Sequence, residues 1–323
     1  MQKNIISLLL IICSCMRLPS AEGDLNEVII IVSPEDRSMI EFIVDKTFDK
    51  HLNTPQKEYY LNVKYVNPWE FNDVKRNKTI IVMSIDNPSD STGDLLMSKF
   101  IDNYEVDKML QLKDLYARGQ LITLIHSFDA VDLNETFDDY GNWLIDEIES
   151  HKLKSLQENL FKNGKNKLLS KKIMSTLGFT LDFQIDYKEI KIDSLNSFAW
   201  LGRGYPYRWI TLYKADKKKY ANSNAAWKQF EEDISIFIPE ITISNHFRKT
   251  TLREHNNQKV TVLNGLYEHE ISDSGGPFAT YMFDMKGSND LILITGYVNY
   301  PGRKKIKLLE EIENIIFTIN LGD

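Results

Sequence analysis

The sequence predicts an α+β protein composed of two units, each a β-sheet with packed helices. Short apolar runs of strand length alternate with segments of helical periodicity along the 323 residues. Hydrophobic residues make up 42% and charged residues 26%, which is typical of a globular protein with a substantial core. The length fits two domains of ordinary size, and the pattern changes near residue 162, where we place the boundary.

The first unit, residues 27–161, is predicted to be a ferredoxin-like sandwich with helices on one face of a sheet. An apolar run over residues 28–32 predicts a buried strand. Ser33 and Pro34 are typical of a helix N-terminus, and apolar residues recur at helical spacing over residues 38–50. Further strands are predicted over residues 59–66, 79–85 and 121–126, further helices over residues 93–101 and from 137 toward 161, and a loop or helix over residues 106–117.

The second unit, residues 162–323, is predicted to be a mostly antiparallel sheet with packed helices. It begins with the Lys-rich segment 162–172, whose charges fit the solvated face of a helix. Alternation of apolar and polar residues predicts strands over residues 179–187, 197–203, 209–214, 259–270, 278–283 and 291–300. Apolar stripes at helical spacing predict helices over residues 227–237 and 306–319.

The N-terminus, residues 1–26, reads as a signal peptide and tether. An apolar run over residues 5–13 follows a positively charged start and is too short to span a bilayer. Cys15 after Ser14 fits a lipobox, so we expect export, lipidation at Cys15 and anchoring in a cell-envelope membrane. Cleavage near Ala21 by ordinary signal peptidase is the alternative and would leave a soluble periplasmic protein. In a third interpretation the two leader cysteines are apolar residues only.

Charge and cysteine content exclude several classes of function. The net charge of −7 argues against nucleic-acid binding, which needs a basic surface. Cys13 and Cys15 are the only cysteines, so the body has no disulfide, no thiol nucleophile and no cysteine-ligated zinc. The histidines form no closely spaced pair, and no phosphate loop or dinucleotide motif occurs. We therefore expect neither a metal nor a cofactor.

The stretch ISDSGGPFA, residues 271–279, resembles the loop that carries the nucleophile of chymotrypsin-like proteases, with Ser274 in that place. The position of the oxyanion-hole glycine holds Ser272, and the best-placed upstream histidine, His126, lies in the other unit. The stretch also separates two predicted strands, where small residues are expected in a hairpin. A turn is therefore the favoured interpretation, and a serine hydrolase that uses Ser274 is the alternative.

The segment RGYPYRW, residues 203–209, has the most unusual local composition. Aromatic rings and guanidinium groups on a Gly/Pro loop are the residue types that dominate binding hot spots. They make this loop the candidate binding site for a protein or glycan partner, although the plainer interpretation given below is the favoured one. The candidate binding residues are Arg203, Tyr205, Tyr207, Arg208 and Trp209. The alternative is a connecting loop whose rings cover the edge of the sheet.

Several segments resemble domain-of-unknown-function family 4837, a family of cell-envelope lipoproteins of Bacteroidota-like bacteria. They are NKTIIVMSID (77–86), KDLYARGQLI (113–122), FAWLGR (198–203), NGLYE (264–268), GGPFATY (275–281) and GYVNYPGRKK (296–305). The chain departs from the family pattern at Tyr267, where the family favours Trp, and at residues 299–301, where it favours Tyr-Ala-Pro. The resemblance implies export and a lipid anchor, and it makes the Gly-Gly-Pro-Phe segment a family feature. It carries no catalytic residues.

Two function classes follow from these observations. The first is a non-enzymatic envelope lipoprotein that binds or assembles with a protein or glycan partner, because the chain lacks an assembled catalytic constellation. The second is a serine hydrolase with Ser274 as its nucleophile.

Overall fold

The computed structural model describes residues 18–54, 56–87, 90, 92–270, 274–285 and 287–321. The predicted leader and Cys15 lie outside these residues. The strands are β1 (Glu27–Ile31), β2 (His51–Asn53), β3 (Lys57–Tyr59), β4 (Asn62–Val66), β5 (Thr79–Ile85), β6 (Met109–Lys113), β7 (Leu121–Ser127), β8 (Lys188–Asp193), β9 (Phe198–Arg203), β10 (Tyr207–Asp216), β11 (Ile241–Ile243), β12 (Lys249–His255), β13 (Gln258–His269), β14 (Ser274–Asp284) and β15 (Asp290–Asn299). The α-helices are α1 (Pro34–Thr47), α2 (Phe71–Val74), α3 (Gly93–Ile101), α4 (Ala130–Leu160), α5 (Lys167–Leu177), α6 (Ser223–Phe237) and α7 (Ile306–Ile316).

The chain divides into two compact units, and the α+β class predicted from the sequence is confirmed. Unit 1 comprises Met1–Phe42 and Val63–Tyr140, and unit 2 comprises Ile43–Asn62 and Gly141–Asp323. Among the helices of the described residues, none is both long enough and apolar enough to cross a membrane.

Unit 1 is built on a five-stranded sheet in the order β4-β1-β5-β7-β6. Strands β1, β5 and β7 pair in parallel, and β6 is antiparallel to its neighbour β7. All seven residues of β5 are buried, so both faces of the sheet are covered at this strand. Continuous apolar strands of this kind are typical of parallel sheets. Unit 1 therefore does not have the predicted ferredoxin-like arrangement, in which neighbouring strands are antiparallel and helices pack on one face.

The segment before β1 is bonded to unit 1 rather than free. Ala21 donates its backbone N–H to Arg118 O at 2.9 Å, and Glu22 donates to Arg76 O at 2.9 Å. Asn26 is 7% exposed. The described part of the predicted tether therefore forms part of this unit, because its backbone groups find partners on neighbouring loops.

Unit 2 is built on an eight-stranded sheet in the order β11-β13-β14-β15-β10-β9-β8, with β12 paired to β13. Each of these pairings is antiparallel, as the sequence predicts. Side chains of β15 alternate between the two faces. Ile292 and Ile294 pack in the core that contains α5 and α7, and Leu293 packs in the core that contains α6. Helices therefore cover both faces of this sheet.

Several predicted elements differ from the observed ones, among them the segments 106–117 and 179–187. Residues 106–117 contain strand β6, whose half-buried edge position leaves only a weak alternation of apolar residues. Residues 179–187, predicted as a strand, lie outside the strands that the structure describes. Phe179, Leu181 and Phe183 are buried at alternate positions, yet they pack against α5 and α7 rather than in a sheet. An alternation of apolar and polar residues indicates that one side of an extended segment is buried. It does not by itself require that the segment pairs in a sheet.

Helix α7 is held at its N-terminus and along its buried face. Glu58 of β3 accepts hydrogen bonds from Lys305 N–H at 2.6 Å and from Ile306 N–H at 3.2 Å. This carboxylate is buried and satisfies backbone donors at the positive end of the helix. At the middle of α7, Ile312 lies on Gly296 of β15, so close that a Cβ on Gly296 would be 2.3 Å from Ile312 Cγ2. The absence of a side chain at residue 296 therefore sets how closely α7 approaches the sheet.

We expect Gly296→Ala to lower the free energy of unfolding by about 1–3 kcal/mol, because the added methyl group overpacks the contact between β15 and α7. Urea denaturation checks this. Gly204→Ala is the matched control, since its Cβ would meet no atom within 4 Å, and it should change the free energy by less than about 0.5 kcal/mol. Equal stability of the two variants would contradict the assigned packing.

Candidate functional site

The predicted binding loop connects β9 to β10 at one end of the eight-stranded sheet. These strands pair from Arg203 opposite Arg208 to Phe198 opposite Tyr213, and residues 204–206 form the tight connection. The five candidate residues therefore sit on a rigid hairpin, but they point in different directions and have different surroundings.

Two of the candidates are exposed and form part of an aromatic surface. Tyr205 is 64% exposed and Tyr207 is 46% exposed. The Tyr205 ring lies 5.7 Å from the Tyr207 ring and 5.4 Å from the Tyr300 ring, measured between centroids and in edge-to-face geometry. We call Tyr205, Tyr207 and Tyr300 the tyrosine cluster. The sequence does not predict Tyr300 as a member of this cluster, because it lies far from the loop along the chain. The pairing of Tyr207 with Asn299 in the sheet places Tyr300 next to the loop.

The two arginines of the loop are ion-paired within unit 2. Arg208 is 5% exposed and donates a hydrogen bond from Nη1 to Glu311 Oε2 of α7. Burial lowers the pKa of Arg208, and the negative charge of Glu311 opposes that change. Arg203 Nη2 lies 2.5 Å from Asp186 Oδ2. These guanidinium groups therefore hold the hairpin in place rather than extend its exposed surface.

Trp209 belongs to the core rather than to the exposed surface. It is partly buried and packs against the core that contains α6. Its ring lies 5.9 Å from Trp200 and 5.9 Å from Tyr267, again between centroids. The ring therefore covers the sheet, as the alternative interpretation of the loop expects of its aromatic residues.

Ser274 is the first residue of β14, opposite His269 of β13. The two strands form an antiparallel hairpin, as the turn interpretation predicts. The predicted extent of the turn is wrong, however, because residues 274–277 are paired with β13 and belong to β14. Asp273 lies outside the described residues. His126 belongs to unit 1, where its Nε2 lies 2.8 Å from Asp86 Oδ1.

Close backbone approach explains the two glycines after Ser274. A Cβ on Gly275 would lie 2.5 Å from Tyr267 O, and one on Gly276 would lie 2.0 Å from Val298 O. Both distances are far inside van der Waals contact with backbone atoms, which have little freedom to move. The Gly-Gly pair is therefore required where β14 passes between β13 and β15, whatever the role of Ser274.

Unit 2 also contains a pocket that was missed in the sequence. Its volume is about 320 Å³, and we call it the α7 pocket. It is lined by Lys50, Tyr60, Asp146, Glu149, Ser150, Lys152, Leu153, Leu156, Arg253, Glu310, Glu313, Asn314 and Phe317. These residues come from the segments beside β2 and β3, from the C-terminal half of α4, from β12 and from α7. Some of these residues are more than 200 positions apart in the sequence, so no short sequence motif predicts the site.

Three ion pairs line the α7 pocket. Lys152 Nζ lies 2.7 Å from Glu310 Oε1, and both side chains are nearly buried, at 8% and 11% exposure. Lys50 Nζ contacts both carboxylate oxygens of Glu149 at 2.5 and 2.7 Å. Arg253 Nε lies 3.4 Å from Glu313 Oε1. The cations of the pocket are therefore each matched by a carboxylate.

Burial perturbs the titration of several groups at this pocket. It raises the pKa of Glu313, although the positive charge of Arg253 and a hydrogen bond from Tyr281 oppose the rise. Burial also raises the pKa of Tyr60 to about 12, and the negative charge of Glu313 adds to this. Perturbed ionisable groups that line a concave pocket are typical of functional sites.

A second group of polar residues lies at the carboxyl end of β1 and β5 in unit 1. Asp36, in the first turn of α1, is fully buried and accepts a hydrogen bond from Ile85 N–H at 3.1 Å. Asp90 accepts from Thr92 N–H at 2.8 Å and from Gly93 N–H at the start of α3. Asp36 N–H donates to Ser33 Oγ at 3.1 Å, as the predicted N-cap requires.

These two carboxyl groups have opposite pKa shifts. Burial raises the pKa of Asp36 to about 7, the hydrogen bond from Ile85 opposes the rise, and the charge of Asp90 adds to it. For Asp90 burial also raises the pKa, but hydrogen bonds from Gly93, Ser33 and Thr92 outweigh it and hold the pKa below its ordinary value. Near neutral pH the carboxyl group of Asp36 therefore takes up or releases its proton while that of Asp90 stays ionised. Within the described ranges, no group of three or more His, Cys, Asp or Glu side chains has the arrangement of a metal site.

The comparisons with known proteins identify families rather than a function. The chain has two compact units, and each half of the sequence matches a family model of its own. Residues 166–318 match the model described as "Domain of unknown function (DUF4837)". Residues 166–318 are therefore similar to this family, in agreement with the resemblance seen in the sequence for this half of the chain. Residues 21–161 match a different model, "Domain of unknown function (DUF8532)", and the segments 77–86 and 113–122 lie within that match.

Similar solved structures are distant. One is the crystal structure of a protein from Bacteroides thetaiotaomicron, at 10% identity and a TM-score of 0.29, with 45% of each chain covered. This chain thus spans less than half the length of that protein. Another is the Saccharomyces cerevisiae Ran-binding protein Mog1p, at 8% identity and a TM-score of 0.32, covering 45% of this chain and 90% of that one. Among curated proteins none matches this chain.

The pKa of Asp36 predicts a pH dependence of stability. In the unfolded chain an aspartate has a pKa of about 3.9, against about 7 in the folded state. Between these values the folded state binds a proton that the unfolded state has released, so stability falls as the pH rises. The contribution of Asp36 to the free energy of unfolding is complete below about pH 4 and is lost as the pH rises through about 7. The total loss is up to about 4 kcal/mol.

Asp36→Asn should remove this dependence, because asparagine keeps an oxygen for Ile85 N–H and does not titrate. Urea unfolding at pH 5, 6, 7 and 8 measures the slope for the wild type and the variant. Asp45→Asn, at an exposed position on the same helix, is the control and should retain the slope of the wild type. If Asp36→Asn also retains that slope, the assignment to Asp36 is wrong.

Proposed function

We propose that this protein is an exported lipoprotein of the bacterial cell envelope that binds a protein or glycan partner and has no catalytic activity of its own. The observation that carries the binding part of the proposal is the tyrosine cluster, two of whose rings are exposed at the end of a rigid hairpin. The leader sequence and the lipobox at Cys15 carry the part on location.

The tyrosine cluster has the properties of a preorganised binding surface. Tyrosine offers a large contact area with few rotatable bonds, which keeps the entropy lost on binding small. The rings support one another edge to face, and the strand that carries Tyr207 is paired on both sides, with β9 and with β15. The ion pair of the buried Arg208 with Glu311 adds a tertiary anchor directly next to Tyr207. A partner would therefore meet a surface whose shape is already set.

The exposed hydroxyl and ring faces of the cluster suit either partner class. A protein interface uses tyrosines as hot spots, in which a ring fills a pocket and the hydroxyl keeps a hydrogen bond. A sugar presents apolar C–H faces to aromatic rings and hydroxyls to their polar tips. Identification of the partner captured by this surface decides between the two.

The tyrosine cluster can be tested by photocrosslinking in intact cells. With a photoreactive amino acid at position 300, Tyr207→Ala should lower the yield of the crosslinked partner at least fivefold and leave the melting temperature nearly unchanged. The reason is that Tyr207 is exposed, so its removal costs contact area for a partner but little packing. The control Tyr140→Ala removes an exposed tyrosine outside the cluster and should not change the yield.

Arg208→Ala should behave differently, because it leaves Glu311 without its buried partner. The melting temperature should fall by several degrees, and capture should fall with it. The proposal fails if Tyr207→Ala keeps the full crosslinking yield. It also fails if a fluorophosphonate probe labels the wild type but not Ser274→Ala, since the chain would then be a serine hydrolase.

Lipidation at Cys15 predicts membrane anchoring. Each buried methylene of an attached acyl chain contributes about 0.8 kcal/mol, so a cysteine with two or three chains would hold the protein firmly. Cys15→Ala should move the protein from the membrane fraction to the soluble fraction of the expressing cells. Cys13→Ala is the matched control and should leave it in the membrane. Membrane retention of Cys15→Ala would contradict lipid anchoring at this residue.

A further inference from the structure

The α7 pocket contains a buried acceptor that no described residue satisfies. Asn314 is 4% exposed, and its Nδ2 donates a hydrogen bond to Glu310 O at 2.8 Å. That carbonyl only accepts, so the orientation of the amide is determined and Oδ1 is the remaining acceptor. Within the described residues, Oδ1 accepts no hydrogen bond. Since a buried acceptor without a partner costs free energy, this atom favours a ligand with an N–H or O–H donor.

The charges of the pocket favour a cation over an anion. Lys50, Lys152 and Arg253 each face a carboxylate within the pocket lining, so an anionic ligand would have to displace one of these partners. The lining holds four carboxylates against these three cations. The fourth, Asp146, is exposed at the rim and has no ion-pair partner among the described residues. A cationic ligand would therefore complete the charge balance.

The remaining surface of the pocket is apolar. Leu153, Leu156 and Phe317 contribute hydrocarbon, and Phe317 is held by parallel stacking on His255 at 4.7 Å. The volume of about 320 Å³ lies at the lower end of the range for small-molecule sites. These walls suit a short hydrocarbon chain rather than a strongly polar molecule such as a sugar.

We propose that the α7 pocket binds a primary ammonium group carried on a short apolar chain, with Asn314 Oδ1 and the carboxylate of Glu313 as acceptors and with Leu156 and Phe317 as apolar walls. The chemistry fits both a free alkylamine and the side chain of a lysine residue. A positive charge beside Glu313 also stabilises its ionised form, which burial otherwise disfavours. This site lies outside the tyrosine cluster, and neither proposal rests on the other.

Isothermal titration of the full chain with three isosteric probes tests the charge preference. Hexylammonium should bind saturably, hexanol at least tenfold more weakly, and hexanoate without detectable saturation. Nα-acetyl-lysine N-methylamide distinguishes the two sources of the ammonium group. Tighter binding than that of hexylammonium indicates a lysine side chain, and weaker saturable binding indicates a free amine. Hexanol or hexanoate binding as tightly as hexylammonium would overturn the proposal.

Three variants test the assigned residues. Glu313→Gln keeps the shape of the side chain, Asn314→Leu removes the acceptor, and Asp146→Asn changes an exposed group of the pocket lining. Glu313→Gln and Asn314→Leu should each weaken hexylammonium binding at least tenfold, and Asp146→Asn about threefold. Glu158→Gln, which removes an exposed carboxylate of α4 outside the pocket, should leave binding unchanged. Unchanged binding in both Glu313→Gln and Asp146→Asn would refute the site, whatever the stability of Asn314→Leu.

Discussion

The packing of α7 on the eight-stranded sheet is the contact on which the rest of unit 2 depends. Ile312 sits directly on Gly296, and the carboxylate of Glu58 holds the first backbone donors of the helix. With the position and orientation of the helix set in this way, its side chains reach two further environments. Glu311 meets Arg208 below the β9–β10 hairpin, while Glu310, Glu313 and Asn314 line the pocket. One helix thus supports both candidate sites.

The same constraint of close approach explains the motif that resembles a protease loop. Strand β14 lies between β13 and β15, and at Gly275 and Gly276 the neighbouring carbonyl oxygens leave no room for a side chain. Glycine usually lowers the stability of a strand, and it is found there where another part of the backbone approaches so closely that a Cβ atom would not fit. Here Tyr267 O and Val298 O occupy it. The similarity to a catalytic loop therefore has a sufficient explanation in the packing of three strands.

Buried charge is handled differently in the two units. In unit 2, Lys152 and Glu310 are nearly buried together and satisfy each other directly. In unit 1, Asp36 and Asp90 are both acidic, so burial is accommodated by protonation of one of them near neutral pH. Asp36 of α1 accepts the backbone N–H at the end of β5, which ties α1 to the sheet, and Asp90 accepts the backbone N–H of Gly93 at the start of α3. Neither arrangement is visible from the local sequence, because the partners are far apart along the chain.

The sequence by itself determined the local elements and the α+β class. The apolar run that forms β1, the cap at Ser33 and the periodicity of α4 and α7 were all readable, because these features depend on residues within a few positions of one another. The exposed rings of Tyr205 and Tyr207 were also within a segment singled out by composition. Only the tertiary structure decided that β1, β5 and β7 run parallel, since strand order is set by long-range pairing. It likewise decided that Arg208 is buried, that Tyr300 joins the tyrosine cluster and that Asn314 faces a pocket, because each of these depends on atoms brought together from distant parts of the chain.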